Sequence, residues 1–522
     1  MTGHAASPQL KQVLERRFLI PVACGALTVL ALLVAIPSRI FDGAYLNHVS
    51  GAWAALADDA VHGLLYRPLI SDLGYGGTRY FPMHIVLHAL FVKFGLSLRA
   101  AGHLVSVLAM FALVAGGSRA LERRGASKAL AWSGGALALA SRTAFMGAAG
   151  VRGDLLPLAL GIAGLGLMPR DRDGSLLPAG LFFGFALLAK PTLAWAPAGA
   201  FLALICDAQY RSALKLTLVS VLTTALGLAG ALWWSHGELI KSFHAVASGG
   251  GFSLKELTSH LQYVRPGDLA WILSGPIFTI LRGRRALTDP LCTAGLVCIP
   301  VMVVLFSGTG IHVNHLIDPA AIGALALVAA VADPQVRVGR SQAVLALATV
   351  LGVTEALLLD AALVKRGDLE RTISVIPPGK DPILSEQPWV PLVGGERVFI
   401  LDAFSLRQTR RTSPALDKDF MERVDHCAFR AIVLLGRLEK NEYWYDSVQF
   451  GPGFRQLLQA RYSYAGIAGA HVVYFPHCNT NAKPPPQFDF GETETIADRG
   501  SRPSKVSAIV AWVRRLGRAH DQ

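Results

Sequence analysis

Residues 18–36 read FLIPVACGALTVLALLVAI, nineteen residues without one charge, and Lys11, Arg16 and Arg17 stand just ahead of them. A run of this length and apolarity is what a helix needs to cross the hydrocarbon core of a bilayer. The cations before it predict a cytosolic N-terminus over residues 1–17 and a helix that leaves on the far side. A cleaved signal peptide is the competing reading. Its apolar core would be unusually long, and Pro37, Ser38 and Arg39 make a poor cleavage site, so an uncleaved anchor is favoured.

The rest of the chain repeats the theme. Over 522 residues, 52% are hydrophobic and 16% charged, with a mean hydropathy of +0.43, which fits no ordinary soluble protein. Apolar runs recur at 100–119, 129–149, 154–169, 175–190, 191–206, 214–234, 267–281, 289–307, 315–332 and 341–361. With the first they predict a polytopic α-helical membrane protein of about eleven transmembrane helices plus interfacial ones. Several runs are short, so the pair broken at Lys190 and Pro191 reads as two tilted half-length helices.

Between the first two spans, residues 37–99 carry scattered charge, four histidines and the turn-rich Ser71 to Thr78, so they form a long extracytoplasmic loop. Its end, Phe81 to Phe94, contains Pro82, two histidines and Lys93 and is expected to lie at the interface. Alternation then assigns to the cytosol the loops that hold Arg119, Arg123, Arg124, Lys128, Arg170, Arg172, Arg211, Lys215, Arg282, Arg284, Arg285, Arg337 and Arg340. The same count explains the net charge of +13 as short cationic loops, and no basic face interleaved with aromatics suggests nucleic acid.

The odd number of spans places residues 362–522 outside the cytosol. The transmembrane region thus covers 18–361, and 362–478 reads as an extracytoplasmic soluble α/β domain. Strands are expected at Arg397 to Leu401, Arg430 to Leu435 and His471 to Phe475, with helices near 415–427 and 453–463. Residues 479–504 look like a linker and 505–522 like a basic amphipathic tail on a membrane surface. Four of the six cysteines fall in or beside apolar runs. Cys427 and Cys478 share the C-terminal domain, where a disulfide and two free thiols are both open readings.

An acid just past the first span, in Phe41, Asp42, Gly43, Ala44, Tyr45, begins a series: Leu64, Leu65, Tyr66, Arg67, Pro68; then Arg79, Tyr80, Phe81, Pro82, Met83, His84; then Val151, Arg152, Gly153, Asp154; then Ala189, Lys190, Pro191, Thr192. In this order and on one side of the membrane, with a soluble C-terminal domain behind them, they resemble the membrane glycosyltransferases of the C superfamily, which includes protein O-mannosyltransferases and lipid A aminoarabinose transferases.

The resemblance implies transfer of a sugar, with inversion, from a polyprenyl-phosphate carrier in the cell inner (cytoplasmic) membrane to an acceptor glycan, glycolipid or protein. Asp42 matches the catalytic acid of the first loop, which would take the proton of an acceptor hydroxyl. Asp154 matches a second catalytic acid, although its place before an apolar run also suits a helix N-cap. Together the two could hold a divalent metal, a cofactor that some members do without.

The departing lipid phosphate needs cations and donors, and the candidates are Lys190, Arg67, Arg79, His84, Arg152 and His315. Lys190 is the sharpest, since an ammonium inside an apolar run is unfavourable unless it faces an anion or a polar cavity. Where the family's transferases tend to carry a basic residue and paired prolines before the interfacial helix, this chain has Tyr80, Phe81 and Pro82, which leaves sugar and acceptor open. Residues 384–389 (LSEQPW) and 394–404 resemble a pattern of bacterial relatives and read as packing the domain onto the membrane core. The rival function is a transporter or lipid flippase, but no two-fold repeat of hydropathy supports it.

Overall fold

The computed structural model describes residues 8–41, 46–248, 251–311, 313–333, 338–358, 366–478 and 488–489. Asp42 lies outside the described residues, as do His312, most of the linker and the whole amphipathic tail.

Each apolar run of the sequence falls on a helix or a helix pair. They are α1 (Pro8–Phe41), α4 (Leu98–Glu122), the pair α5 (Lys128–Leu137) and α6 (Arg142–Ala149), α7 (Leu155–Leu167), α8 (Leu177–Ala189), α9 (Trp195–Cys206), α10 (Tyr210–Trp234), α13 (Pro266–Leu281), α14 (Pro290–Phe306), α15 (Ile317–Ala332) and α16 (Val338–Leu358). Five described helical segments are long and apolar enough to cross a bilayer by themselves: Phe18–Phe41, Leu98–Glu122, Tyr210–Trp234, Val313–Ala332 and Ser341–Leu358. Along α10, Leu214, Leu218, Leu222 and Leu226 are all exposed at four-residue spacing. An apolar stripe turned outward in this way is a lipid-facing surface. Inside the bundle, small residues set the distances. A Cβ on Gly166 of α7 would stand 2.6 Å from the Gly116 carbonyl of α4, so these two backbones touch as membrane helices with small residues do.

Local chemistry starts and stops the helices. Ser97, Ser127 and Ser141 cap α4, α5 and α6 with side chains that accept from backbone N–H groups three residues on. At the other end of a helix, Lys190 takes an extended backbone and Pro191 follows it. Proline has no N–H to continue α8 and disfavours a helical residue before it, so the chain reverses here. Arg172, ahead of α8, pairs with Asp207, beyond α9, at 3.6 Å. The two half-length helices therefore form a hairpin with Lys190 at its tip.

The turns sort onto two faces. On one, Arg124 pairs with Asp289, and Arg282 bridges Asp289 at 3.0 Å and Asp333 at 3.2 Å. Arg170 donates to the carbonyls of Glu122 and Arg123 on that same face. On the other face lie α2 (His48–Val61), α3 (Pro82–Lys93), α11 (Glu238–Ser248), α12 (Leu254–Leu261) and the C-terminal domain. Thr412 of that domain donates to the Ala245 carbonyl of α11.

The C-terminal domain holds α17 (Arg366–Ser374), α18 (Trp389–Val393), α19 (Ala403–Thr412), α20 (Pro414–Asp425) and α21 (Phe454–Arg461) around a mixed sheet of β1 (Ile383–Ser385), β2 (Ala431–Leu434), β3 (Tyr462–Ala468), β4 (His471–Pro476) and β5 (Phe488–Asp489) in the order β1-β2-β4-β3-β5. β1 and β2 run parallel, as do β3 and β5, and the other pairs are antiparallel. Two of the expected strands are present. The third, Arg397 to Leu401, is not: Ile400 makes only an isolated bridge to Tyr75, and Val398 to Leu401 are apolar because they are buried between the domain and the first loop. The expected helix at 453–463 gives way to β3 after Arg461. Cys427 and Cys478 are joined by a disulfide.

The first loop is not a loose connection. Its helix α2 is buried along most of its length and forms one apolar core with the sheet and α18. Trp389 Nε1 donates to Ser50 Oγ at 2.8 Å, and Gln387 Nε2 to the Leu46 carbonyl at 2.7 Å. The 384–389 stretch thereby fastens the domain to α2.

Candidate active site

Three separate turns on the C-terminal-domain face converge on one carboxylate. Asp154 immediately precedes α7 but makes no capping bond with its side chain. Its Oδ1 instead accepts from Lys190 Nζ at 3.0 Å and from Asn314 Nδ2 at 2.7 Å, while Oδ2 lies 3.3 Å from Arg152 Nε. The three charged side chains are 11%, 14% and 6% exposed for Asp154, Lys190 and Arg152. Two cations thus meet on one carboxylate. His315, beside Asn314 on the 3-10 turn Val313–Leu316, lies within electrostatic reach of Asp154. A second acid, Asp318 at the start of α15, is fully buried, receives Trp195 Nε1 at 3.5 Å and also feels the charge of Lys190.

An aromatic wall stands beside this cluster. Trp53 of α2 stacks on Tyr80 at 4.1 Å and tilts against His84 at 4.7 Å. A Cβ on Gly153 would come within 2.4 Å of the Trp53 ring, so glycine lets the 152–154 turn lie flat against the indole. Neither ring nitrogen of His84 has a hydrogen-bond partner among the described residues.

The C-terminal domain closes the site from above. Asp402 caps α19 through the backbone N–H groups of Phe404 and Ser405, and its charge reaches His48 and Tyr80. Burial and Arg152 lower the His48 pKa, against the pull of Asp402. Burial and Asp402 raise that of Tyr80. Phe404 lies on Gly310, where a Cβ would meet its ring at 2.1 Å and where φ is +75°. The Arg79 guanidinium sits 4.8 Å and that of Arg407 5.4 Å from the same ring.

Of the residues singled out in the sequence, the structure brings together Asp154, Lys190, Arg152 and His315, with His84 across the aromatic wall. Arg79 sits at the Phe404 contact. Arg67 is elsewhere engaged: it pairs bidentately with Asp59 at 2.5 and 2.8 Å and donates to the carbonyls of Leu73 and Val398. Four of its five N–H groups are thereby committed to holding the first loop and the C-terminal domain together. Trp53, Asp318 and Asp402 were not singled out. Asn314 shares its turn with His315, but nothing in its spacing marks Asp154 as its acceptor, 160 residues away. No group of three or more His, Cys, Asp or Glu side chains placed to hold a metal occurs among the described residues.

No family model matches the chain, and no curated protein sequence does. Solved structures do. Over 87% of this chain and 99% of the other, it superposes on ArnT from Cupriavidus metallidurans bound to undecaprenyl phosphate, with a TM-score of 0.55 and 14% identity. The apo oligosaccharyltransferase of Archaeoglobus fulgidus matches over 88% of this chain and 75% of its own, with a TM-score of 0.53 and 11% identity. The archaeal oligosaccharyltransferase AglB from the same organism, in complex with an inhibitory peptide and a dolichol-phosphate, gives a TM-score of 0.51 at 12% identity, over 88% of this chain and 74% of that one. The chain therefore has the polytopic helical membrane fold of ArnT and of the archaeal oligosaccharyltransferase, the fold that its sequence resemblance implied.

Proposed function

We propose that this chain transfers a sugar from a polyprenyl-phosphate carrier to a hydroxyl of an extracytoplasmic glycan, glycolipid or protein, with inversion. The observation that carries the reading is the cluster at Asp154: a buried carboxylate that fixes Lys190 and Arg152 side by side, at the helix ends of a fold shared with a protein bound to undecaprenyl phosphate. A phosphate ester leaving a sugar develops negative charge on its oxygens, and preorganised cations in a partly dry site stabilise that charge without having to rearrange.

In this reading the acceptor oxygen attacks the anomeric carbon as the bond from that carbon to the phosphate oxygen breaks on the opposite side. Its proton passes to the carboxylate of Asp42, and the phosphate departs on its lipid. Lys190 and Arg152 receive the charge, His315 adds a donor, and Asp154 acts through the two cations. The Arg39 guanidinium, three residues before Asp42 in the sequence, donates to the Ala356 carbonyl at 2.6 Å and fastens the end of α1 to α16. Tyr80, half-buried and backed by the buried Trp53, offers a flat face to a sugar ring. The cationic turns of the opposite face and the Cys427–Cys478 disulfide both favour a site outside the cytosol.

The test is Asp42→Asn in the full-length protein. Sugar transfer, followed by mass spectrometry of envelope glycans, is expected to vanish while expression and membrane insertion persist. Full activity would refute the assignment. Uptake or lipid scrambling by the wild type in proteoliposomes without transfer would establish the transporter class instead.

A further inference from the structure

The face opposite the site carries its own feature. Between the ends of α4 and α7 and the starts of α5 and α8 lies an open cavity of about 650 Å³, lined by Arg119, Arg123, Lys128 and Arg170 together with Leu167 and Pro178. That volume lies within the range of pockets that hold small ligands. Glu122 and Asp171 also line it, but Glu122 is engaged by Arg119 at 3.6 Å.

Arg123 is the unusual member. Its Nε is buried and has no hydrogen-bond partner among the described residues. Burial, and then the guanidiniums of Arg119, Arg170 and Arg124, hold its pKa below the usual arginine range. None of these neighbours relieves the crowding. Arg124 is turned to Asp289, and Arg170 is anchored on the carbonyls of Glu122 and Arg123. Like charges kept together with an unmet donor are a site that gains from an anion with several acceptor oxygens.

The position tells which anion. The cavity sits where apolar helices end, at the level of a bilayer's polar boundary, and its lining sets cationic side chains beside the apolar Leu167 and Pro178. We propose that it binds the headgroup of an anionic membrane phospholipid, with the phosphodiester on Arg123 and Lys128 and the glycerol and upper acyl carbons over Leu167 and Pro178. The assignment is independent of the enzymatic reading, since it uses no residue of the Asp154 cluster.

Native mass spectrometry of the detergent-purified full chain, titrated with phosphatidylglycerol and with zwitterionic phosphatidylcholine, tests it. Phosphatidylglycerol is expected to bind at least about tenfold more tightly, and Arg123→Gln with Lys128→Gln to remove that preference, at roughly 1 kcal/mol per cation. The exposed Lys128→Gln alone, which disturbs no buried contact, is expected to reduce it several-fold. Equal binding of the two lipids, or a preference unchanged in either folded variant, overturns the proposal. Displacement of the lipid by equimolar inorganic phosphate would show a free-anion site and overturn it as well.

Discussion

Lys190 and Asp154 form a pair whose two roles separate under mutation. The ammonium stabilises the buried carboxylate, and in the proposed reaction it also meets the leaving phosphate. Lys190→Met removes one cation from a carboxylate left with Arg152, Asn314 and the nearby His315, and breaking a buried pair from one side costs on the order of 3 kcal/mol. Adding Asp154→Asn removes the stranded charge, so the double variant is expected to melt closer to wild type than the single one. Transfer, by contrast, is expected to fall about 100-fold or more in both, as when one preorganised donor is lost from a site. Thermal melts and initial rates on the same preparations check this; rates that recover with stability would reduce the pair to a structural role. Of these two residues the sequence disclosed Lys190 through its cost in an apolar run, and Asp154 through resemblance. The bond of Asn314 to Asp154 stayed hidden, because an asparagine at a membrane boundary is ordinary until its partner, 160 residues away, is known.

Glu386 makes a second prediction for single residues. It is buried in the C-terminal domain, where its carboxylate accepts from Leu435 N at 2.9 Å and Trp444 Nε1 at 2.6 Å. Burial outweighs both bonds and pushes its pKa up to about 7 from an ordinary 4.5. The folded domain therefore holds a proton that the unfolded chain has released across that interval. The contribution is most favourable near and below pH 4.5 and is lost as pH rises to about 7, by on the order of 3 kcal/mol at most. Hydrogen exchange at β2 is expected to quicken between pH 5 and 8, after correction for intrinsic rates, and Glu386→Gln to flatten that trend. Parallel profiles for the two proteins would contradict the shift.

Elements show where pattern reading succeeds and where it stops. Apolar runs gave the bundle helices because in lipid every backbone polar group must bond within its own segment, which leaves a strong local signature. The first loop gave no such signature. Its helix α2 is amphipathic toward a protein partner more than 300 residues away, through Ser50 and Trp389, and no periodicity names that partner. Residues 397–401 failed for the converse reason: a short apolar run marks burial, and burial without a neighbouring strand is not a ladder. The start of α19 illustrates what these long-range contacts do. Phe404 rests on Gly310 between Arg79 and Arg407, and so joins the C-terminal domain to the turn that bears Asn314 and His315. Phe404→Ala and Gly310→Ala attack one contact from its two sides, the second by adding a Cβ where φ is +75°. Both are expected to speed tryptic cleavage after Arg79 and to lower transfer together. If cleavage is unchanged, the contact does not hold the domain down.

At the scale of the whole molecule, charge and topology are two independent accounts of one asymmetry. The turns that gather on the face opposite the C-terminal domain are joined by Arg124, Asp289, Arg282 and Asp333, and they carry the cations that the positive-inside rule retains in the cytosol. The other face carries a disulfide, which persists in oxidising compartments. If the two accounts describe one orientation, they dictate opposite labelling for two exposed positions. Arg172, 70% exposed on the first face, is expected as Arg172→Cys to resist a membrane-impermeant maleimide in intact spheroplasts and to react once the cells are lysed. Lys440, exposed in the C-terminal domain, is expected as Lys440→Cys to react in both. The reverse pattern would place the Asp154 cluster in the cytosol, and with it every step of the proposed transfer would lose its extracytoplasmic acceptor.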